Sequence, residues 1–465
     1  MLEWIGTFCF LILMAILWPV AKCFGAASHY TLLLPRRDSK RPAERCDSKL
    51  EEKGESAAVA LICKPSALAN YLLKHCMTFC KSLSIPSWNW RVSSSLQTVF
   101  GALWPVECPV HFIRDHLQLS DDGLVALDWA VVGAAHHKRR RTSSNSTSPV
   151  LLIIPNSFGR ITRNVLKLCE AALSHGYLPV IFNRRSQNGT PLSTIRLQQF
   201  GDPTDLREAV RYIRYRQPAG QIYAVSESTG SGLLLSYLGE CGSSSYVTAA
   251  ACLSPIFRCQ SWFESGPSWP FHWALLLYQK ICLSRYKTVL GELVHIDSVF
   301  SSCSLKEMEE ALFCHFSSKG GTGSWEAYWE RNDPLRDIDE VAIPVLCVCS
   351  QDDPIRGDPR TTLPFELFEN NPHFFLLLTA CGGHCGFSTS DEGPVVWSHQ
   401  ALLEFFRATT DFFAAEERAK LAARRRGLSG AGKTFRHRSV STCKRLPVCS
   451  HNIHAIYNWQ RSYTR

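Results

Sequence analysis

The sequence predicts an α/β protein: a mostly parallel sheet flanked by helices, interrupted by a helical cap and preceded by an apolar N-terminal segment. Three observations carry this expectation. Apolar runs of strand length alternate with helical patterns from Val150 onward; a serine stands where such a run gives way to a helix; and an aspartate pair and a histidine follow it in loops after later runs.

Composition sets the outer bounds. The chain has 465 residues, 45% of them hydrophobic and 20% charged, which suits a globular body with a sizeable core. The net charge is +9, yet from Arg418 to Arg465 there are twelve Lys and Arg and no Asp or Glu, leaving about −3 for everything before. The basic character belongs to a tail, and no basic-aromatic recognition pattern in the body points to nucleic acid. The 20 cysteines are too sparse for a disulfide-stapled scaffold and show no paired C-x-x-C spacing for zinc. Cys169, Cys252, Cys347 and Cys349 fall inside expected strands and helices, where a free thiol acts as a small apolar group, so a reducing compartment is expected. No cofactor or metal is implied.

Residues 1–22 contain a nearly unbroken apolar run at 4–21, close to the ~18 residues that begin to qualify as a membrane span. Basic residues follow it and none precedes it, which orients an anchor with the body on the cytosolic side, at the endoplasmic reticulum or a related membrane. The alternative is a cleaved signal peptide, with the small residues 25–27 as cleavage site and secretion as the outcome. Residues 23–109 read as a polar linker and an N-terminal helical region, with an amphipathic helix over 61–84.

The body begins at 110. Two paired strands are expected near 110–114 and 124–129, and the run at 150–154 reads as a strand buried on both faces. Helix over 164–175, strand over 178–183, helix over 204–216, strand over 221–225, helix over 230–239 and strand over 247–254 complete the first part of the core, 110–255. From 256 to 334 the alternation stops and Trp262, Trp269, Trp273, Tyr278, Trp325, Tyr328 and Trp329 mark a helical cap. The second part of the core, 335–420, resumes with strands at 343–349 and 374–378 and ends in a helix from about 394. Residues 421–465 read as a basic disordered tail.

Ser228 lies in Ala224-Val-Ser-Glu-Ser-Thr-Gly-Ser-Gly, between a strand and a helix. A sharp turn there lifts the hydroxyl out at the carboxyl end of the sheet, and needs small residues two before and two after it, Ser226 and Gly230. A serine nucleophile needs a base, and the base an orienting carboxylate. His384, in the glycine-rich loop 379–387, supplies the base; Asp353 or Asp352, just past a buried strand, supplies the acid. For an oxyanion hole, position alone assigns the Thr229 N–H and a second N–H from Ser157 or Phe158, each worth ~3–4 kcal/mol in a transition state.

Further residues carry a resemblance: Leu96-Gln-Thr, the stretch 122–129, Phe182-Asn-Arg-Arg-Ser, Gly201-Asp-Pro-Thr-Asp-Leu, Asp352-Asp-Pro and Gly382-Gly-His-Cys-Gly-Phe. Together with the turn at Ser228 they span roughly 60–415, and the chain resembles the α/β-hydrolase-domain family in its branch of YheT-like esterases. The resemblance implies an α/β-hydrolase fold with an N-terminal membrane anchor, serine hydrolysis of lipid esters such as acylglycerols or phospholipids, a place in lipid metabolism, and Asp353 as the charge-relay acid. Two positions depart from the family pattern. Ser226 replaces a glycine of the elbow, and Pro155-Asn156 replaces a His-Gly type of oxyanion loop, where asparagine turns a carbonyl outward less easily than glycine. Those departures support a second reading, a catalytically weak scaffold that binds and regulates a partner protein.

Two tail features are discounted. Residues 427–434 match a phosphate-loop pattern but follow no strand, so no nucleotide is expected. Ser439 and Ser441, among basic residues, read as possible phosphosites on a solvated tail.

Overall fold

The computed structural model describes residues 55–57, 59–80, 83–85, 93–103, 110–132, 147–292, 294–314, 323–387 and 396–430. The apolar run at 4–21, Ser439 and Ser441 therefore lie outside the described residues. Among the described residues, no helix is long and apolar enough to cross a membrane.

Eleven strands are described: β1 (Glu55–Ala57), β2 (Val59–Ile62), β3 (Leu83–Ile85), β4 (Val110–Gln118), β5 (Leu124–Val132), β6 (Val150–Ile154), β7 (Leu178–Asn183), β8 (Ile222–Glu227), β9 (Val247–Leu253), β10 (Val345–Ser350) and β11 (Phe374–Thr379). β1 and β3 form a small antiparallel pair. The other nine make one sheet in the order β2-β11-β10-β9-β8-β6-β7-β5-β4. Its middle, from β11 to β7, is parallel, while β2, β5 and β4 run antiparallel to their neighbours. The chain steps from β6 outward to β7, then back across β6 to β8. That reversal opens a crevice at the carboxyl ends of β6 and β8, where open α/β sheets bind ligands.

Alternation along the strands divides the core. Val150, Leu152 and Ile154 face one layer of side chains, and Leu151 and Ile153 the other. Every residue of β6, β8, β10 and β11 is buried, as expected for strands covered by helices on both faces. Cys347 and Cys349 share the first face, and Cys169, Cys252, Cys347 and Cys349 are buried free thiols. Each fully buried Leu or Phe contributes ~1.5–3 kcal/mol.

The helices are α1 (Ala67–His75), α2 (Ser94–Leu103), α3 (Arg163–Ser174), α4 (Thr204–Arg216), α5 (Gly230–Cys241), then α6 (Cys259–Ser265), α7 (Trp269–Ser284), α8 (Lys287–Leu290), α9 (Ile296–Ser301), α10 (Leu305–Phe313) and α11 (Trp325–Asn332) of the cap, and α12 (Pro359–Thr362), α13 (Phe365–Asn370) and α14 (Trp397–Gly430). The cap has its own core of Trp262, Phe263, Met308, Trp325, Tyr328 and Trp329. Trp269 and Trp273, expected within it, face outward at 60% and 49% exposure.

The N-terminal region departs from the sequence expectation. The continuous helix over 61–84 is broken into β2, α1, a 3₁₀ turn over Met77–Phe79 and β3. Pro65 cannot donate within a helix, and Ser66 caps α1 by accepting from the Ala69 N–H at 3.0 Å. Leu61 instead pairs with Leu377 of β11. Leu68 and Leu72 of α1 are buried in the layer shared with α14. At the other end α14 continues past 420, where the disordered tail was expected to begin. Its alanines, arginines and leucines are strong helix formers. Gly427–Gly430 thus close a helix rather than follow a strand.

Candidate active site

β8 delivers Ser228 to the crevice. Ser228 has φ of 54°, the left-handed region that costs a non-glycine residue ~1–3 kcal/mol. Its N–H donates to Leu253 O at 2.8 Å, which ties the turn to β9. The turn closes on Gly230, where a Cβ would stand 2.2 Å from Pro155 O. Ser226, in the other small position, is fully buried and its Oγ donates to Ser231 Oγ at 3.1 Å. The serine is thus accommodated with its hydroxyl satisfied.

β11 leads into the loop carrying His384. Gly383, with φ of 60°, comes so close to α2 that a Cβ would meet Ser94 O at 2.4 Å. Side chains from several elements hold this loop. Thr98 Oγ1 accepts from the His384 N–H at 2.9 Å, Ser254 Oγ accepts from the Cys385 N–H at 2.9 Å, and Ser350 Oγ donates to Gly383 O at 2.7 Å. Asn164 Nδ2 donates to Cys385 O.

β10 ends just before the two aspartates, and they turn different ways. Asp353 Oδ2 lies 2.8 Å from His384 Nδ1. Its Oδ1 accepts the Ile355 and Arg356 N–H groups, each at 2.9 Å. Burial alone would raise the Asp353 carboxyl, but His384, the Arg356 charge and these hydrogen bonds outweigh it and hold it below the ordinary carboxylate range. Asp352 instead accepts the Gly383 N–H at 2.9 Å, and burial raises its carboxyl. It braces the histidine loop rather than the ring.

The remaining contact closes the relay: His384 Nε2 lies 2.6 Å from Ser228 Oγ. An ionised Asp353 only accepts, so Nδ1 carries the proton and Nε2 is free to take one from the serine. Hydroxyl, imidazole and carboxylate thus form one hydrogen-bonded line, in a site where Asp353 and His384 are 3% and 7% exposed.

The expected oxyanion donors fare differently. The Thr229 N–H stands at the amino end of α5, where first-turn N–H groups lack intrahelical partners. The other two are occupied. Ser157 N–H donates to Thr229 Oγ1 at 2.9 Å and Phe158 N–H to Asn156 Oδ1 at 3.2 Å. The cause is chemical: Thr229 and Asn156 place side-chain acceptors where a smaller residue would leave the N–H groups open.

Glu227, beside the nucleophile, gave no signal in the sequence. It is 4% exposed and accepts from Thr162 Oγ1 at 3.0 Å on both oxygens. Burial pushes its carboxyl up to about 7, against the hydrogen bond from Thr162 and the pull of His384. Thr98 likewise carries no site signal of its own in the sequence, although its stretch is among those that carry the resemblance. Among the described residues, no cluster of His, Cys, Asp and Glu could hold a metal ion.

Comparison with known proteins finds no matching family model. Human Protein ABHD15 is 54% identical over 406 residues, covering 87% of this chain and 85% of that protein. Mouse Phospholipase ABHD3 is 27% identical, covering 73% of this chain and 80% of its own length. Zebrafish (Danio rerio) Monoacylglycerol lipase ABHD2 is 23% identical, covering 77% and 87%.

Proposed function

The chain belongs to the α/β-hydrolase-domain family, and from that premise we propose that it is a serine hydrolase acting on lipid esters, acylglycerols or phospholipids. The observation that carries the proposal is the unbroken line Ser228 Oγ–His384 Nε2 at 2.6 Å and His384 Nδ1–Asp353 Oδ2 at 2.8 Å. Ser228 attacks the ester carbonyl as His384 takes its proton, and Asp353 steadies the imidazolium. His384 then protonates the departing alcohol, and water, activated by the same ring, releases the acid. The names of the phospholipase and the monoacylglycerol lipase among the relatives support the substrate class. Anchoring through the apolar run at 4–21, which would hold the body at a membrane where such esters reside, belongs to the same proposal.

Turnover of a monoacylglycerol and of a phosphatidylcholine by the purified full chain, beside Ser228→Ala, tests it. Release of fatty acid from at least one, lost in the variant, is expected; equal release by both proteins contradicts it.

A second reading has its own observation. Because the Ser157 and Phe158 N–H groups are engaged by neutral acceptors, an oxyanion gains less there, and the fold can serve chiefly as a scaffold for a regulatory partner protein. A cellular role that survives Ser228→Ala at unchanged protein level would favour it.

A further inference from the structure

Arg184 sits one residue past the end of β7, on the same carboxyl rim as Ser228, and is 5% exposed. Its Nη1 donates weakly to Phe200 O at 3.5 Å, while Nε and Nη2 have no hydrogen-bond partner. A buried guanidinium edge left unpaired carries a desolvation cost, so it calls for a partner.

The same edge shows its preference elsewhere in this chain. Arg185 forks Asp205 through Nε and Nη2, both at 2.7 Å. Arg114 forks Asp128 through the same two atoms, again both at 2.7 Å. Nε and Nη2 lie parallel at the spacing of two oxygens on one carboxylate or phosphate. Arg184 presents this edge with no acid hydrogen-bonded to it; Glu309 acts on its charge only through space.

It also lines a pocket of about 80 Å³ between the sheet rim and the cap, together with Ser157, Phe158, Gln198, Phe263 and Glu309. At ~30 Å³ per water in the liquid, that is room for roughly two or three waters, enough for a phosphate or carboxylate group. Gln198 Oε1 is a second buried polar atom without a partner there, an acceptor suited to a hydroxyl or a water beside the anion rather than to the anion itself. Ser157 and Phe158 are the loop beside the nucleophile, so the pocket adjoins the place where an ester would lie.

We propose that this pocket is a binding site for a two-oxygen anion, a phosphate or a carboxylate, gripped by the Nε–Nη2 edge of Arg184. The inference rests on the hydrolase reading for its biological meaning: the anion is then part of the lipid, either a head-group phosphate or a fatty-acid carboxylate. Glu309, from α10, is the acid on the wall. It makes no ion pair with Arg184 and accepts instead from Tyr328 OH at 2.6 Å. Burial lifts its carboxyl to about 7, against the hydrogen bond from Tyr328 and the pull of the Arg184 charge.

The test is calorimetric titration of the full chain carrying Ser228→Ala with glycerol 3-phosphate and with butyrate, at fixed ionic strength in chloride. Saturable binding of at least one is expected, weakened tenfold or more by Arg184→Gln and tightened severalfold by Glu309→Gln. Preference for glycerol 3-phosphate assigns the head group, and preference for butyrate assigns the fatty acid. No binding of either, or binding unchanged in a folded Arg184→Gln, overturns the proposal. If Arg184→Gln does not fold, Glu309→Gln decides, and unchanged or weaker affinity there overturns it. Turnover plays no part in this titration, so its failure leaves the hydrolase reading intact, and failure of that reading leaves the titration interpretable.

Discussion

Thr229 and Asn156 hold the N–H groups beside Ser228 that an oxyanion would need. Their side chains accept the Ser157 and Phe158 N–H groups, so a developing oxyanion must displace a neutral hydrogen bond worth ~0.5–1.5 kcal/mol before it gains a donor. Asn156→Gly removes one acceptor and Thr229→Ala the other, and neither removes a backbone donor. Each is expected to raise the rate of fluorophosphonate labelling about two- to tenfold, read as labelling rate against probe concentration. A fall in rate with the fold intact would show that these side chains position the loop instead. This competition was only partly visible in the sequence. Asn156 stood out as a departure from the family pattern, but nothing in the sequence says where Thr229 Oγ1 points. The Asp352 and Asp353 ambiguity had the same origin. Adjacent carboxylates look alike in a sequence, and only the rotation of the loop past β10 sends one to the ring and the other to Gly383.

Elements meet at the site through glycine. Gly230 lets α5 pass under the end of β6, with a Cβ position 2.2 Å from Pro155 O. Gly230→Ala is therefore expected to destabilise the fold by about 1–3 kcal/mol or more and to lose labelling, measured by urea denaturation and probe together. Unchanged stability would mean the turn is looser than described. α2 acts on the same site from far away in sequence, through Thr98. Thr98→Val keeps the shape and removes the acceptor of the His384 N–H, so the turnover number should fall while KM changes little; a KM effect alone would contradict this role. Ser228 and His384 could be read from the sequence because a strand precedes each, glycines follow the serine and glycines flank the histidine. Thr98 could not, since its role exists only where a helix and a loop 286 residues apart touch. The N-terminal segment misled for a related reason. Apolar residues at helical spacing over 61–84 outweighed Pro65, while Leu61 was claimed by pairing with β11.

Across the whole molecule, two buried glutamates link stability to pH. Glu227 in the core and Glu309 in the cap are each raised from 4.5 to about 7 by burial. A folded-state carboxyl raised in this way binds its proton more tightly than the unfolded chain does. The stability it contributes is fully present below about pH 4.5 and is lost as pH rises through about 7, on the order of 3 kcal/mol for each group. The double variant Glu227→Gln, Glu309→Gln should show a flatter fall in melting temperature between pH 5 and 7.5 than the parent chain. An identical slope would place the titration elsewhere. The strand alternation made the sheet legible at this scale, and the tryptophans marked the cap. Which acids would be buried in the two was not legible, because burial is a property of the assembled layers.

The central claim is that Ser228, His384 and Asp353 work as one unit. Peptide mapping of the full chain after exposure to a fluorophosphonate tests it most directly. The adduct is expected on Ser228, at a rate reduced a thousandfold or more in His384→Ala. A folded chain with Ser228 unmodified, or modified equally fast without the histidine, would contradict the account.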